Sequence, residues 1–323
     1  NGAAGSEEDP LPFPLFMKFR PAATSAFSSD SAAAKKRTNG EDDERKGTSV
    51  DDDDAECLAD PSLRRHLVYP SAPAVARYGP IVWRLESHRH YNFLRHIPYW
   101  DVAWEDKHNS AVWRGGLTGF DHRELDKLTA EERGRLSDGD ICRTYSERCR
   151  LVLSTSGSDL VDAGLTFLAP QGDDGYTLPD AADGVSLLKP SLSIPELLRH
   201  KILISLQGND VASGLKWSLF SRSVVLMPPP TVNSWAMEER LIPWVHYVPL
   251  SSSSSSSGGI DDVEDMVRWV IENEERARTI AERATLWIWD MFFHEDAAED
   301  EVKTKEEILR RYGRYFRPAK GGS

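Results

Sequence analysis

The 323-residue chain has three cysteines, Cys57, Cys142 and Cys149, too few for a fold built on a disulfide framework. It has no apolar run near the roughly eighteen residues a membrane helix needs, so no segment reads as a bilayer span. It has no basic stripe with interleaved aromatics, and its formal net charge of -13 repels nucleic acid. It lacks a Walker loop, a GxGxxG fingerprint and any solenoid-type repeat. No Asp-x-Asp pair lies in a turn suited to a metal, since Asp51 to Asp54 fall in a low-complexity tract, and no metal site is expected. The chain begins at Asn1 rather than Met, so it reads as a fragment or processed form. What remains, 40% hydrophobic and 28% charged residues, is the composition of a soluble globular protein long enough for two domains.

The charge is unevenly placed. Residues 30–60 hold eleven acids and five bases, and residues 261–311 hold sixteen acids and eight bases. The body between them is close to neutral, so a small anionic ligand inside it is compatible with the acidic total, because distant charge is screened within about 8–10 Å.

Residues 1–27 form an N-terminal segment with one candidate strand, Leu15 to Phe19. Residues 28–60 are poor in apolar side chains and rich in charge, the composition of a disordered acidic insertion. Order resumes near Leu67. Residues 122–136 read as helical, 150–154 and 163–169 as strands, and 170–193 as a loop. The clearest pattern lies at 195–250: a strand at 202–206, a helix at 211–221, a strand at 224–227, a helix at 234–240 and a strand at 246–250. Short apolar strands alternating with helices predict a parallel α/β unit. A Ser/Gly loop at 251–259 leads to a long amphipathic helix over 263–291, and a last helix is expected at 306–315. The expected division is 61–194 for one domain and 195–323 for a second with a long closing helix.

Three segments carry chemistry. In Gly208-Asn209-Asp210-Val211-Ala212-Ser213-Gly214-Leu215-Lys216 a strand ends, a glycine permits a tight path and a helix begins. Backbone N–H groups at such a helix start suit an anion, and Ser213 and Lys216 would add a hydroxyl and a cation. The plainer reading is an ordinary turn capped by Asp210. In Trp113-Arg114-Gly115-Gly116-Leu117-Thr118 an apolar strand runs into an arginine fork and two glycines. Arg114 there serves either a ligand or a structural carboxylate. In Trp235 to Tyr247, Glu238 or Glu239 would accept hydrogen bonds from sugar or ribose hydroxyls. Cys142 and Cys149 either pair in an oxidising compartment or stay as two free thiols.

In this order, Trp113-Arg114-Gly115, the block from Lys201 to Trp217, Ser223-Val224-Val225 and Trp235 to Tyr247 resemble glycosyltransferase family 90, notably its lipopolysaccharide-type and algal members, over roughly 81–316. The resemblance implies a GT-B architecture, two Rossmann-like domains facing a cleft, with an N-terminal domain expected to be incomplete in this chain. It implies a UDP-sugar donor, inversion at the anomeric carbon, no cofactor and no metal, and a glycan or protein hydroxyl as acceptor. By position it gives Gly208, Asn209, Asp210, Val211, Ala212, Ser213, Gly214 and Lys216 to the diphosphate and Glu238 to the ribose. It gives Arg114 to the cleft, with Gly115, Gly116, Thr118 and His90 on the acceptor side. The secretory lumen is the compartment the family implies.

Two departures stand out. Where family members place a catalytic Asp before Tyr-Pro, this chain has His66 before Val68-Tyr69-Pro70, with Asp60 as the fallback base. Where glucosyltransferase-type members tend to carry Arg, it has Gly214, and Lys216 is the expected substitute cation. A catalytically silent domain that binds nucleotide sugar or glycan is the alternative these departures motivate.

Overall fold

The computed structural model describes residues 81–84, 87–168, 178–250, 260 and 262–312, together with the backbone of 16–17 and 19–21. The expected insertion at 28–60, the loop at 251–259, and His66 and Asp60 lie outside the described residues.

Three short strands open the chain: β1 (Phe16–Met17), β2 (Phe19–Pro21) and β3 (Ile81–Val82). Helices α1 (Ser87–Tyr91) and α2 (Ile97–Trp100) lead into β4 (His108–Gly116). Four helices follow: α3 (His122–Asp126), α4 (Ala130–Arg133), α5 (Asp138–Tyr145) and α6 (Glu147–Ser154). Next come β5 (Val161–Phe167), the hairpin β6 (Ala181–Ala182) and β7 (Val185–Ser186), and α7 (Ile194–Leu197). The second half holds β8 (His200–Ile204), α8 (Leu215–Leu219), β9 (Val224–Met227), β10 (Val232–Ser234) and β11 (Val248–Pro249). It closes with α9 (Val263–Glu272), α10 (Glu274–Phe292) and α11 (Ala297–Tyr312).

Five strands form one parallel sheet in the order β11-β9-β8-β4-β5. Alternation along each strand feeds two hydrophobic layers. Ala111, Trp113, Ile202, Ile204, Val224 and Leu226 pack on one face with α5, α6 and α9, while Val112, Leu203, Val225 and Met227 pack on the other with α8. A parallel sheet covered on both faces is what uninterrupted runs such as Ile202-Leu203-Ile204 require. The protein is therefore a Rossmann-like α/β fold. The expected boundary between 194 and 195 falls between strands of this one sheet: β4 and β5 come from one side of it, β8, β9 and β11 from the other.

Chain order places the first strand of the sheet, β4, beside the third, β8, so the winding reverses direction between them. Ligands of open α/β sheets bind at that reversal, beyond the carboxyl ends of the strands.

Several local expectations change. Residues 150–154 are helical within α6, because Leu151-Val152-Leu153 is too short an apolar run to distinguish strand from buried helix, and Ser146 caps the helix by accepting from the Cys149 N–H at 3.2 Å. The 211–221 helix shrinks to α8. The 234–240 helix is replaced by β10 and a 3-10 turn, with Met237 at φ 50°. The long helix is interrupted at Asn273, whose ψ of 47° is not helical, and continues as α10. Cys142 and Cys149 form a disulfide joining α5 to α6. Among the described residues no helix is long and apolar enough to cross a membrane.

Candidate active site

The end of β4 with the turn after it (Gly115 to Gly119) and the turn after β8 (Leu206 to Gly214) are neighbours at the reversal point, and together they line a cavity of about 340 Å³. Gly115, Gly116 and Thr118 thus stand beside Gly208 to Gly214 on one sheet edge, rather than across a gap from them. That volume is in the range of small-molecule sites.

The two turns touch through glycine. A Cβ on Gly208 would lie 2.3 Å from Thr118 Oγ1. Gly119 has φ +73°, and a Cβ there would lie 2.9 Å from the Gly208 backbone. Side chains at either place would force the turns apart. The Gly119 N–H donates to Asn209 Oδ1 at 2.8 Å, a second tie between them.

Arg148, on the first turn of α6, is the clamp. Its guanidinium donates to Gly116 O at 2.8 Å and Thr118 Oγ1 at 2.6 Å on one turn, and to Leu206 O at 2.8 Å and Gln207 O at 3.1 Å on the other. It also lies 5.8 Å from the centroid of the Trp113 ring. Burial brings its pKa down to about 10, with Asp210 and Glu147 opposing that shift, so it remains a cation at neutral pH. Sequence reasoning missed Arg148, since it sits in a helix remote from both motifs. Its one sequence signal was a basic residue beside Cys149.

Of the predicted site residues, Arg114 lines the cavity, as expected, while also serving the fold, and Lys216 and Glu238 do other work. Arg114 is held by Asp162 Oδ2 at 2.8 Å and by the carbonyls of Trp113, Asp162 and Pro190, so it fastens β4 to β5 and the following loop. Lys216 and Glu238 meet in the core, Nζ to Oε1 2.7 Å, with each side chain 1% exposed. Glu238 further accepts from the Ser234 N–H and hydroxyl, each at 2.6 Å. Burial pushes the Glu238 pKa up, but Lys216 and Ser234 outweigh it and leave the carboxyl below its ordinary range. Neither Lys216 nor Glu238 lines the cavity, and the cationic side chains that do are Arg114 and Arg148. His90 is buried on α1 and does not line this cavity. Gly214 lines the cavity with φ outside the left-handed region, and a Cβ there would meet only the Trp217 ring, at 3.3 Å.

The sequence profile of glycosyl transferase family 90 matches residues 98–316, more than half of the chain, and that stretch holds every element of the site. The chain belongs to glycosyltransferase family 90. It is 32% identical over 127 residues to the O-glucosyltransferase LpsA of Dichelobacter nodosus, covering 39% of this chain and 37% of that protein. It is 27% identical over 281 residues to an O-glucosyltransferase rumi homolog of Anopheles gambiae, covering 78% of this chain and 65% of that protein. It is also 27% identical over 147 residues to protein O-glucosyltransferase 3 of Rattus norvegicus, covering 45% of this chain and 26% of that protein. The chain thus spans about a third to two thirds of the length of the first two relatives. In family 90 terms, both turns of the cavity fall inside the matched region.

Proposed function

We propose that this family 90 chain is an inverting glycosyltransferase that moves glucose or xylose from a UDP-sugar to a hydroxyl of a glycan or protein. The observation that carries this reading is the Arg148-clamped cavity at the reversal point of the sheet. Glycine-opened backbone and two largely buried cations, Arg148 and Arg114, suit a diphosphate, whose leaving oxygen gains charge as the C1–O bond breaks. A fixed cation and fixed N–H groups stabilise that charge without a metal. The acceptor oxygen attacks C1 from the opposite side while its proton passes to a base, for which His66, then Asp60, is the proposed group.

In this reading the five-stranded sheet is the donor-binding lobe of a GT-B pair, and the acceptor-facing lobe comes from chain outside that sheet. Gly115, Gly116 and Thr118 then belong with the donor, alongside Gly208 to Gly214. The buried Cys142–Cys149 disulfide favours an oxidising compartment such as the secretory lumen.

One observation favours the silent domain as a second reading. The cation expected from Lys216 is consumed by Glu238, and the two arginines that line the cavity, Arg114 and Arg148, are both bonded to protein acceptors. Incubation with UDP-glucose or UDP-xylose and a panel of glycan and peptide acceptors separates the two. The transferase releases UDP and yields a product of inverted anomeric configuration by NMR. Saturable binding with no UDP release identifies the silent domain.

A further inference from the structure

At the carboxyl end of β5, Phe167 is in register with Gly116 of β4, and the Leu117 N–H donates to the Phe167 carbonyl at 3.0 Å. The Phe167 ring is folded back over that glycine. A Cβ on Gly116 would fall 2.1, 2.3 and 2.7 Å from the ring's Cζ, Cε1 and Cε2. Glycine is therefore what lets the ring lie across the end of β4. The backbone supports the ring from below, yet Phe167 remains 54% exposed. Among the described residues, three aromatic side chains line the cavity of the candidate active site. Trp113 is buried, Trp217 is half-buried, and Phe167 offers the broad apolar surface to solvent.

A ring laid over a glycine shields the strand backbone. Shielding alone does not account for a ring that lines a cavity and stays half in water, where an apolar side chain gains little from burial. A pyranose ring suits such a surface. Its hydroxyls project round the rim, and its axial C–H bonds form an apolar face. Those C–H groups carry partial positive charge and are drawn to the negative face of an aromatic ring. A serine or threonine side chain in an extended peptide has no flat C–H face of that kind. The place of the ring matters too. β5 is the edge strand of the sheet, and β4 separates it from β8, so Phe167 stands on the far side of β4 from the turn that begins at Leu206.

Resting on the transferase reading, we propose that Phe167 is a stacking platform for a pyranose ring of the acceptor, and that the acceptor is a glycan rather than a protein. The diphosphate of the donor lies at the glycine turns between β4 and β8, and the acceptor sugar enters over the edge strand. Phe167 is thus a specificity-determining residue for the acceptor. Gly116 is a positioning residue, since any side chain there displaces the ring.

The test is titration of the full chain, saturated with UDP, with cellobiose, lactose, maltose and a serine-containing peptide, followed by saturation-transfer NMR. Wild type, Phe167→Ala, Phe167→Leu and Phe167→Trp are compared, and each is also titrated calorimetrically with UDP and UDP-glucose. The proposal expects at least one disaccharide, and not the peptide, to bind wild type saturably. It expects Phe167→Ala and Phe167→Leu to weaken that disaccharide at least about threefold and Phe167→Trp to retain it. Affinities for UDP and UDP-glucose should stay within about twofold across the set. Phe167→Leu keeps Gly116 covered, so it still reads the ring if Phe167→Ala fails to fold. Unchanged disaccharide binding by Phe167→Leu overturns the platform. So does a wild type that binds UDP-glucose but no disaccharide, or a loss confined to UDP-glucose, which gives the ring to the donor sugar. A wild type that binds neither UDP nor UDP-glucose overturns the transferase reading and the platform with it.

Discussion

The Lys216 ammonium lies 2.7 Å from the Glu238 carboxylate, and both side chains are 1% exposed. Two residues that the sequence placed in a ligand site are therefore partners in the core, below the turn that leads into α8. Breaking a buried pair leaves a charge without compensation, so Glu238→Gln is expected to cost about 3–5 kcal/mol, while the double variant Lys216→Met/Glu238→Met recovers most of it. Urea denaturation of the three proteins checks this. Because the folded Glu238 pKa is depressed, its contribution is present above the ordinary glutamate range and is lost as pH falls through the lower folded value. If the double variant is as unstable as Glu238→Gln, the pair is not what those residues contribute.

The two glycines at the contact between the turns are expected to be costly to replace. Gly119→Ala adds both left-handed strain and a 2.9 Å approach to the Gly208 backbone, and is expected to lose at least about 2 kcal/mol. Gly157 shares the positive φ, +79°, but a Cβ there meets nothing within 4 Å, so Gly157→Ala is expected to cost about 1 kcal/mol. Comparing their thermal midpoints separates close approach from backbone strain.

Much of the sheet was legible because its strands are buried on both faces. Val224-Val225-Leu226-Met227 and Ile202-Leu203-Ile204 are short, β-branched-rich apolar runs bounded by turn signals, which favours buried strand over helix. The turn at Gly208 was legible from glycine at a strand end. Side-chain partnership was not, because it depends on which elements meet. Lys216 projects from α8 and Glu238 from a 3-10 turn, and only the packing of α8 beneath that turn brings them together. Arg148 was hidden for the same reason. Its partners are 30 to 59 residues away in sequence, and three of the four are backbone carbonyls, which have no sequence signature. The expected division fell at 195 because the clear strand–helix alternation begins there, yet β4 and β8 hydrogen-bond across that point.

His200 begins β8, with its Nδ1 2.9 Å from Ser110 Oγ. Burial, then the neighbouring His108, brings its pKa down to about 4, so it is neutral at physiological pH. The unfolded chain binds a proton at this side chain more readily than the folded one. Stability should therefore fall as pH drops from about 6.5 towards 4. NMR titration of the His200 ring should give a midpoint near 4, and His200→Gln should flatten that part of the stability profile. A midpoint near the ordinary histidine value contradicts the burial argument.

The Cys142–Cys149 bridge ties α5 to the helix that carries Arg148. It closes a short loop, so removing it with Cys142→Ser/Cys149→Ser is expected to cost about 2–3 kcal/mol. Guanidinium midpoints of the native and double-variant proteins, both under non-reducing conditions, measure this. Equal midpoints would mean that the bridge adds nothing to stability.

The central claim is that Arg148 and the two turns it clamps hold a diphosphate. Calorimetric titration of UDP-glucose into wild type and Arg148→Lys, with circular dichroism to verify the fold of each, tests it most directly. Lysine keeps the charge but loses the planar fork that reaches both turns. The prediction is one saturable site in wild type, weakened at least about tenfold in the folded variant. Undiminished binding by a folded Arg148→Lys, or no binding by wild type, contradicts the account.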